Sequence, residues 1–294
     1  MVSEDYDKSL ATFKRWEKTC PPPSRVNETY YAMLAQINYQ KNNKKSAMSY
    51  INKAIGMVES EGKIPQESWY RLKMAMFAEK EDYKNAIVVM EKILFAYPKI
   101  KNWTELSTLY AAVGRSKEQR GMLDALNVMG ELKKASQARN YAALLMNEDA
   151  PYPAAKVLRK AIDKKIIEEK PKILEALASA YRQSQETEDS LVVMEKAARM
   201  SDQGKIYAYL AAIYIDAEKF KEAHDATKKA LTKGGLRSKS QVYLFQGVSL
   251  MNMKKYDSAI SALSKVTEKR YRKSAQQLVR YCQAEKRREA DLKA

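Results

Sequence analysis

The chain has 294 residues, of which 45% are apolar and 30% charged, a composition typical of a protein that folds around a core. Only nine glycines and eight prolines occur, which argues against a turn-dense β fold and against a disordered tail. Lysine and arginine exceed aspartate and glutamate by 53 − 36, a net charge of +17, and no apolar run reaches the length of about 18 residues that indicates a transmembrane helix.

A phrase of aromatic, charged and small residues opens the chain and then returns. SEDYDKSLATF (3–13) is followed by KEDYKNAIVVM (80–90), EKFKEAHDATK (218–228) and KKYDSAISALS (254–264). We call the small residue three positions after the aromatic residue of each phrase the marker. Its counterparts recur along the chain every 33 to 39 positions. The markers are Ser9, Ala47, Ala86, Gln119, Ala154, Ser190, Ala223 and Ala259. A fixed period of this length indicates a repeat protein.

Two further series share the period of the markers. Small or apolar residues follow the markers by seven positions: Trp16, Ala54, Ile93, Leu126, Ala161, Ala197, Ala230 and Val266. In most repeats a small residue also precedes the marker by twelve: Ala35, Ser107, Ala142, Ala178, Ala211 and Gly247. Two antiparallel helices approach closely only where side chains are small, and one such pair cannot bury its own apolar face. The pattern therefore predicts stacked helix pairs.

In chain order, the first phrase matches the second half of a repeat. Residues 3–20 are predicted to be an orphan second helix, whose first helix would precede Met1, so we expect a fragment of a longer chain. Phe13 and Trp16 should pack on the helix at 28–41. Seven helix-pair repeats follow, at 27–60, 66–98, 99–134, 135–170, 171–202, 203–237 and 238–270, and residues 271–294 should form an amphipathic capping helix. The prediction is one all-α domain over 1–294.

These repeats resemble the tetratricopeptide repeat. The similarity is greatest in YAYLAAIYIDAEKFKEAHDATKKAL (207–231) and is good in LEALASAYRQSQETEDSLVVMEKAARM (174–200), whereas Gln119 departs from it by replacing the small marker. The resemblance implies a right-handed superhelical solenoid of antiparallel helix pairs, with the first helices lining a concave groove.

Residues for catalysis, cofactor binding or metal binding are not predicted. His224 is the only histidine, has no ligand-spaced partner and is predicted to be a surface imidazole, and the chain has none of the glycine-rich phosphate-binding or hydrolase motifs. Cys20 and Cys282 are 262 positions apart and are predicted to be unpaired thiols, because a disulfide would require the chain ends to meet. The sequence predicts a binding protein that is not an enzyme and has no cofactor.

The groove implied by the resemblance would bind a peptide segment of a partner protein. Its predicted lining is Tyr39, Gln40, Arg139, Met146, Lys172, Arg182, Ile215, Leu244, Val248 and Met251. The middle of this set is basic and its C-terminal part is apolar, which suits an amphipathic or acidic peptide. Alternatively, the final helix covers Leu244, Val248 and Met251 and buries them. The sequence specifies neither the partner nor an oligomeric state.

A narrower resemblance comes from QESWYRLKMAMFAEKEDYKNAIVVMEKILFAYPKIKNWTELSTLYAAVG (66–114), PYPAAKVLRKAIDKKIIEE (151–169) and ARMSDQGKIYAYLAAIYIDAEKFKEAHDATKKALTKGGLR (198–237). These stretches are similar to tetratricopeptide proteins that accompany TonB–ExbB–ExbD systems of Gram-negative bacteria. That resemblance implies a periplasmic adaptor for outer-membrane uptake, with TonB, ExbB or ExbD-type components as partners. The alternative is a cytosolic adaptor whose basic surface contacts nucleic acid or anionic lipid, although the tyrosines occupy packing positions rather than stacking platforms.

Overall fold

A computed structural model describes residues 2–19 and 26–292, in which all regular secondary structure is helical. The helices are α1 (Val2–Thr19), α2 (Glu28–Gln40), α3 (Lys44–Ser60), α4 (Glu67–Ala78), α5 (Tyr83–Ala96), α6 (Ile100–Ala112), α7 (Ser116–Val128), α8 (Ala135–Asn147), α9 (Pro151–Asp163), α10 (Pro171–Gln183), α11 (Thr187–Arg199), α12 (Gly204–Asp216), α13 (Phe220–Lys233), α14 (Lys239–Asn252), α15 (Tyr256–Leu263) and α16 (Lys269–Asp291). The all-α prediction is confirmed.

The chain divides into two compact units, Met1–Leu132 (unit 1) and Lys133–Ala294 (unit 2). In unit 1 the pairs α2–α3, α4–α5 and α6–α7 pack together, and α1 contacts α2. In unit 2 the pairs are α8–α9, α10–α11, α12–α13 and α14–α15, and α16 contacts both members of the last pair. Short turns join the helices of a pair, which makes them antiparallel. A single domain over 1–294 stays a prediction.

Side chains at the helix starts explain several of these boundaries. The Asn27 side chain accepts a hydrogen bond from the backbone N–H of Tyr30 at 3.0 Å, and the Ser238 hydroxyl accepts one from Gln241 at 3.0 Å. Pro151 and Pro171 occupy the first positions of α9 and α10, where a missing N–H costs nothing. Side-chain caps such as those of Asn27 and Ser238 typically contribute about 1 kcal/mol each to the free energy of unfolding.

One backbone feature recurs in every turn inside a pair. A residue with φ between 54° and 71° lies there, and it always precedes the marker by five positions. These residues are Asn42, Glu81, Gly114, Asp149, Gln185, Glu218 and Lys254. The left-handed conformation costs most non-glycine residues about 1–2 kcal/mol, which Gly114 avoids and which Asn and Asp bear more easily than Glu, Gln or Lys. The regular spacing of the markers thus has a backbone counterpart in the turn.

We expect Lys254→Gly to raise the free energy of unfolding by about 0.5–1 kcal/mol, because glycine adopts the φ of 58° found there without strain. Chemical denaturation measures the change. The control is Ser261→Gly, at an exposed position inside α15, which should lower stability by about 0.5 kcal/mol. Equal effects of the two substitutions would contradict the strain argument.

The markers lie where the helices of a pair cross. Six markers are fully buried: Ala47, Ala86, Ala154, Ser190, Ala223 and Ala259. Three of the small residues that lie twelve positions before a marker are also fully buried, namely Ala35, Ala178 and Ala211. Gln119 is partly exposed, in agreement with its departure from the repeat. At Gly247 a Cβ atom would lie 2.4 Å from Cγ of Leu263. These small side chains permit the close approach that the sequence pattern predicts.

In each unit, a tyrosine hydroxyl joins one helix pair to the pair before it. The Tyr110 hydroxyl on α6 donates to Glu91 Oε1 on α5 at 2.7 Å, and Tyr214 on α12 donates to Glu195 on α11 at 2.8 Å. Burial, followed by the adjacent carboxylate, raises the pKa of Tyr110 to about 12. Both donors follow their acceptors by 19 residues, so the same contact occurs in both units.

The predicted packing of α1 is confirmed. The Phe13 and Trp16 rings lie 5.7 and 5.3 Å from the ring of Tyr30 on α2, within the range of favourable aromatic contacts. This contact attaches the helix to the first pair of unit 1.

His224 on α13 is partly buried, which corrects the prediction of a surface imidazole. Burial lowers its pKa, Lys228 and Lys255 lower it further, and Asp225 opposes them. The unfolded chain therefore binds a proton on His224 more readily than the folded chain. Stability from this group is complete above the ordinary histidine pKa of about 6.5 and falls as pH decreases toward the lower folded value.

We therefore expect the free energy of unfolding to decrease between about pH 7.5 and about pH 5.5, since His224 is the only histidine. Urea denaturation at the two pH values tests this. His224→Gln should flatten the dependence, and a variant with the wild-type slope would assign it to another group.

Candidate functional site

Three neighbouring cavities follow the first helices of unit 2. The first lies between α8 and α10 and has a volume of about 450 Å³. The second, of about 870 Å³, lies where α10 approaches α12 near the turns inside their pairs. The third, of about 250 Å³, is bounded by α10, α12 and α14. Shared residues connect them, since Ser179 lines the first and second and Arg182 lines the second and third.

The first cavity brings three predicted groove residues together, namely Arg139 and Met146 of α8 and Lys172 of α10. Its floor is apolar and is completed by Ala142, Ala143, Leu158, Ile173 and Ala176. Arg139 and Lys172 are exposed. An apolar floor with two cations can accept an apolar side chain that has acidic neighbours.

Arg182 occupies the boundary between the other two cavities. Its Nε donates to Asp216 Oδ2 at 2.5 Å, and its guanidinium lies 5.7 Å from the centre of the Tyr209 ring. Asp216 raises the pKa of Arg182 against the opposing effect of burial. This predicted groove cation is therefore already paired within the chain. Lys205 and Arg237 supply exposed positive charge to the third cavity, where Glu175 adds a carboxylate.

Tyr39 and Gln40 lie in unit 1, at the end of α2. The Tyr39 hydroxyl donates to Glu79 on the pair that follows, and Lys44 Nζ lies 2.6 Å from the same carboxylate. The hydrogen bond to Glu79 raises the pKa of Tyr39. Tyr39 and Arg182 each lie eight residues before the marker of their own repeat. Their partners Glu79 and Asp216 each lie seven residues before the marker of the next repeat. The same contact thus links consecutive pairs in both units.

The apolar end of the predicted groove is partly covered. Leu244 packs against the cluster of Leu263, Val266 and Ala275, together with Leu278 and Val279 of α16. Met251 packs against a second cluster that contains Cys282 of α16. This packing favours the alternative in which the final helix covers these side chains. Val248 and Ile215 are partly exposed and line none of the three cavities.

The sequence did not predict Tyr209, Asp216, Lys205 and Arg237 as members of the site. Asp216 follows Arg182 by 34 positions, close to one repeat, and opposite charges at that interval were a usable signal. Tyr209 had no such signal, because its ring is placed by the packing of α12 against α10.

Other chemistry in the described part of the chain is limited. Residues 2–19 and 26–292 contain no group of three or more His, Cys, Asp or Glu side chains that could hold a metal ion. Within the same residues, no helix has the length and apolar character needed to cross a bilayer. Cys282 is a buried free thiol whose pKa is raised by burial, and Cys20 lies outside the described residues.

Comparison with known proteins supports the repeat assignment. Residues 28–57 match the tetratricopeptide repeat family, and no curated protein matches the chain. A tetratricopeptide-repeat protein from Cytophaga hutchinsonii superimposes with a TM-score of 0.51 at 15% identity, over 83% of this chain and 98% of that one. The structure of Naa15/Naa10 bound to HypK-THB gives 0.58 at 12% identity, over 87% and 39%. YrrB, described as a TPR protein with an unusual peptide-binding site, gives 0.49 at 12% identity, over 60% and 90%.

The likeness to the Cytophaga hutchinsonii protein, together with the helix pairs and the match at 28–57, shows that the chain has the fold of tetratricopeptide-repeat proteins.

Proposed function

We propose that the chain is a non-catalytic scaffold that binds a peptide segment of a partner protein along the first helices of unit 2. The observation that carries this proposal is the cavity of about 450 Å³ between α8 and α10, with its apolar floor beside Arg139 and Lys172. The peptide would place an apolar side chain next to Met146 and acidic residues next to the two cations. The apolar anchor supplies most of the affinity, as in other peptide grooves.

Electrostatics favours an acidic peptide over a basic one. Lys205 and Arg237 extend the positive charge toward α14, and the net charge of +17 attracts anionic segments at long range. Arg182 contributes less, because Asp216 already neutralises it. The cations should therefore mainly accelerate association and select the partner.

The test is selection from a displayed library of random short peptides, followed by affinity measurement on the selected peptides. We expect aliphatic residues adjacent to Asp or Glu to be enriched. Met146→Glu should weaken binding about tenfold or more, because it removes the apolar contact and adds a like charge. Lys229→Glu is the control, since it changes an exposed lysine on α13 outside the three cavities. Selected peptides that bind the folded Met146→Glu variant unchanged would refute the site.

The finer part of the proposal is a periplasmic adaptor of a TonB–ExbB–ExbD-type uptake system. Its support is the similarity of residues 66–114, 151–169 and 198–237 to such proteins. Fractionation of cells that express the natural gene should recover the protein with a periplasmic marker, and cross-linking should join it to a TonB, ExbB or ExbD-type component. Recovery with a cytosolic marker would exclude this assignment and leave the peptide-binding proposal intact.

The net charge of +17 favours a second candidate, a cytosolic adaptor that contacts nucleic acid or anionic lipid. Salt dependence separates the candidates. For nucleic acid, the logarithm of the binding constant falls steeply and linearly with the logarithm of the salt concentration. The affinity of a peptide held in an apolar cavity changes little with salt. We expect the selected peptides to remain bound at salt concentrations that release a labelled single-stranded oligonucleotide.

A further inference from the structure

The last helix of unit 2 carries a concentration of positive charge. α16 contains eight lysine and arginine residues and three carboxylates, a net charge of +5 in 23 of the 294 residues. Glu285 and Glu289 are partly buried on the side that packs against the last helix pair, and Asp291 is the final residue of the helix. The outer side of α16 before Asp291 therefore has no carboxylate.

Four of these cations form a straight row on the side of α16 that faces away from the core. Ala275 and Cys282 are buried in clusters with residues of α14 and α15. On the opposite side, spacings of four and seven residues align four exposed cations, which we call the basic row: Lys269, Lys273, Arg280 and Arg287. At the rise of 1.5 Å per residue in an α-helix, the basic row is about 27 Å long.

The basic row is not neutralised within the described part of the chain. Among residues 2–19 and 26–292, no carboxylate forms an ion pair with any of its four members. The other four cations of α16 have partners: Arg270 with Glu268 (3.0 Å), Arg272 with the carbonyl of Thr267 (2.7 Å), Lys286 with Asp257 (2.5 Å) and Arg288 with Glu285 (3.7 Å). The basic row is thus the part of the helix that remains available to an anionic partner.

The start of α16 is unfavourable for the stability of the helix. Lys269, Arg270, Arg272 and Lys273 lie within its first five positions, and its first turn has no acidic residue. The N-terminus of a helix carries a positive partial charge, which repels cations and attracts anions. Helix stability therefore does not explain these cations, whereas contact with an anionic partner does.

The sequence beside the basic row also departs from that of the other first helices. Cys282 lies 35 positions after Gly247, the small residue at which α14 crosses α15, so α16 aligns with the first helices. Five positions before this point, α12 and α14 bury Ile206 and Val242, whereas α16 exposes Gln277. A further helix over this side would meet a polar amide and bury four unpaired cations, which is costly. The chemistry of this side therefore fits contact with water or with anions.

The arrangement of the cations favours a flat anionic surface over a nucleic acid. A helix in the major groove of a duplex contacts bases with the centre of its outer face and phosphates with its flanks. The flanking Arg270 and Arg288 of α16 are already paired, and the unpaired cations lie at the centre. A single strand requires aromatic rings that alternate with the cations, but the exposed Tyr281 lies to one side of the basic row. A bilayer is contacted first by the centre of a helix face, and its lipids move laterally to match an unequal spacing of cations.

We propose that the basic row binds the surface of a bilayer that contains anionic lipids, with α16 parallel to the membrane plane. The anionic headgroups neutralise the four unpaired cations, and no apolar side chain enters the bilayer. The proposal rests on the lipid contact of the second candidate function and assigns that contact to α16. It does not use the three cavities along α8, α10, α12 and α14, so it is independent of the proposed peptide binding.

Co-sedimentation with vesicles tests the proposal. The wild type should bind vesicles of equal parts phosphatidylcholine and phosphatidylglycerol at low salt, and should not bind vesicles of phosphatidylcholine alone. Lys273→Gln combined with Arg280→Gln should lower the partition coefficient for the anionic vesicles about 30-fold, which corresponds to about 1 kcal/mol per cation. Circular dichroism checks the fold, and Lys269→Gln combined with Arg287→Gln replaces this variant, with the same expected loss, if it unfolds.

The matched control is Lys84→Gln combined with Lys117→Gln. These lysines are exposed on α5 and α7 of unit 1, so the control removes the same charge without touching α16. It should lower the partition coefficient by less than about twofold, since only the long-range field of the protein changes.

The outcomes separate the site from the candidate function. Equal losses in the test and control variants would show that net charge holds the protein to lipid, which overturns the basic row and leaves the lipid contact standing. A wild type that ignores the anionic vesicles, or binds phosphatidylcholine alone equally well, would overturn both. A wild type that instead binds a labelled duplex oligonucleotide or polyglutamate through the basic row would identify nucleic acid or an acidic protein as the occupant and overturn the bilayer.

Discussion

Gly204→Ala should lower the free energy of unfolding by about 2–3 kcal/mol. Gly204 is the first residue of α12, and a Cβ atom there would lie 2.3 Å from the carbonyl oxygen of Gly234 and 2.4 Å from that of Ala230. Both oxygens belong to the backbone, so no rotamer change relieves the contact. The end of α13 must move away from α12, which disturbs the buried surface of that pair. Urea denaturation followed by circular dichroism measures the loss.

The matched control is Gly121→Ala in α7. A Cβ atom at Gly121 meets nothing within 4 Å, and its φ is not positive. Alanine there should raise the free energy of unfolding by about 0.5–1 kcal/mol, because it reduces the conformational freedom of the unfolded chain and favours the helix more than glycine does. A Gly204→Ala protein as stable as the wild type would show that α12 and α13 do not approach as closely as described.

Arg71→Met should lower the free energy of unfolding by about 2–3 kcal/mol, the second largest loss that we expect from a single substitution. The guanidinium donates to Glu67 at 2.9 Å, to Glu105 at 2.8 Å and to the side chain of Asn102 at 2.6 Å. Asn102 is fully buried and donates in turn to the carbonyl of Tyr97 at 2.7 Å. Methionine keeps the aliphatic packing but leaves a buried amide oxygen without its donor.

Lys63→Met is the control for Arg71→Met. Lys63 also pairs with a carboxylate, Glu61, but their side chains are 71% and 60% exposed. Solvent-exposed pairs of this kind contribute about 0–1 kcal/mol, so the control should be nearly neutral. If the two substitutions cost the same, the network around Arg71 does not stabilise the junction between α4 and α6.

The small crossing residues show how far the sequence reached toward the fold. Ala47, Ala154 and Ala223 were identified by their spacing and are fully buried. Spacing is informative here because the left-handed residue of the turn and the crossing residue of the helix that follows it lie only five positions apart. Such short-range geometry repeats whenever the local sequence does.

The candidate site was predicted less completely than the fold. Arg139, Met146 and Lys172 do line one cavity, since helical periodicity places them on neighbouring first helices. Arg182 was predicted to line the groove, but the sequence did not predict that Asp216 on the next first helix pairs with it. The pattern along α10 contains no information about which residue of α12 lies opposite. That depends on how successive pairs pack.

The sequence by itself determined the helical class, the repeat period and the crossing residues, because these follow from contacts within one helix pair. Tertiary structure decided which side chains of the first helices remain available: α16 packs beside Leu244 and Met251, and Asp216 neutralises Arg182. It also revealed Phe95 as an exposed residue, although its apolar character alone would place it in a core. The physical reason is that burial depends on the neighbours that surround a helix, and those neighbours come from distant parts of the chain.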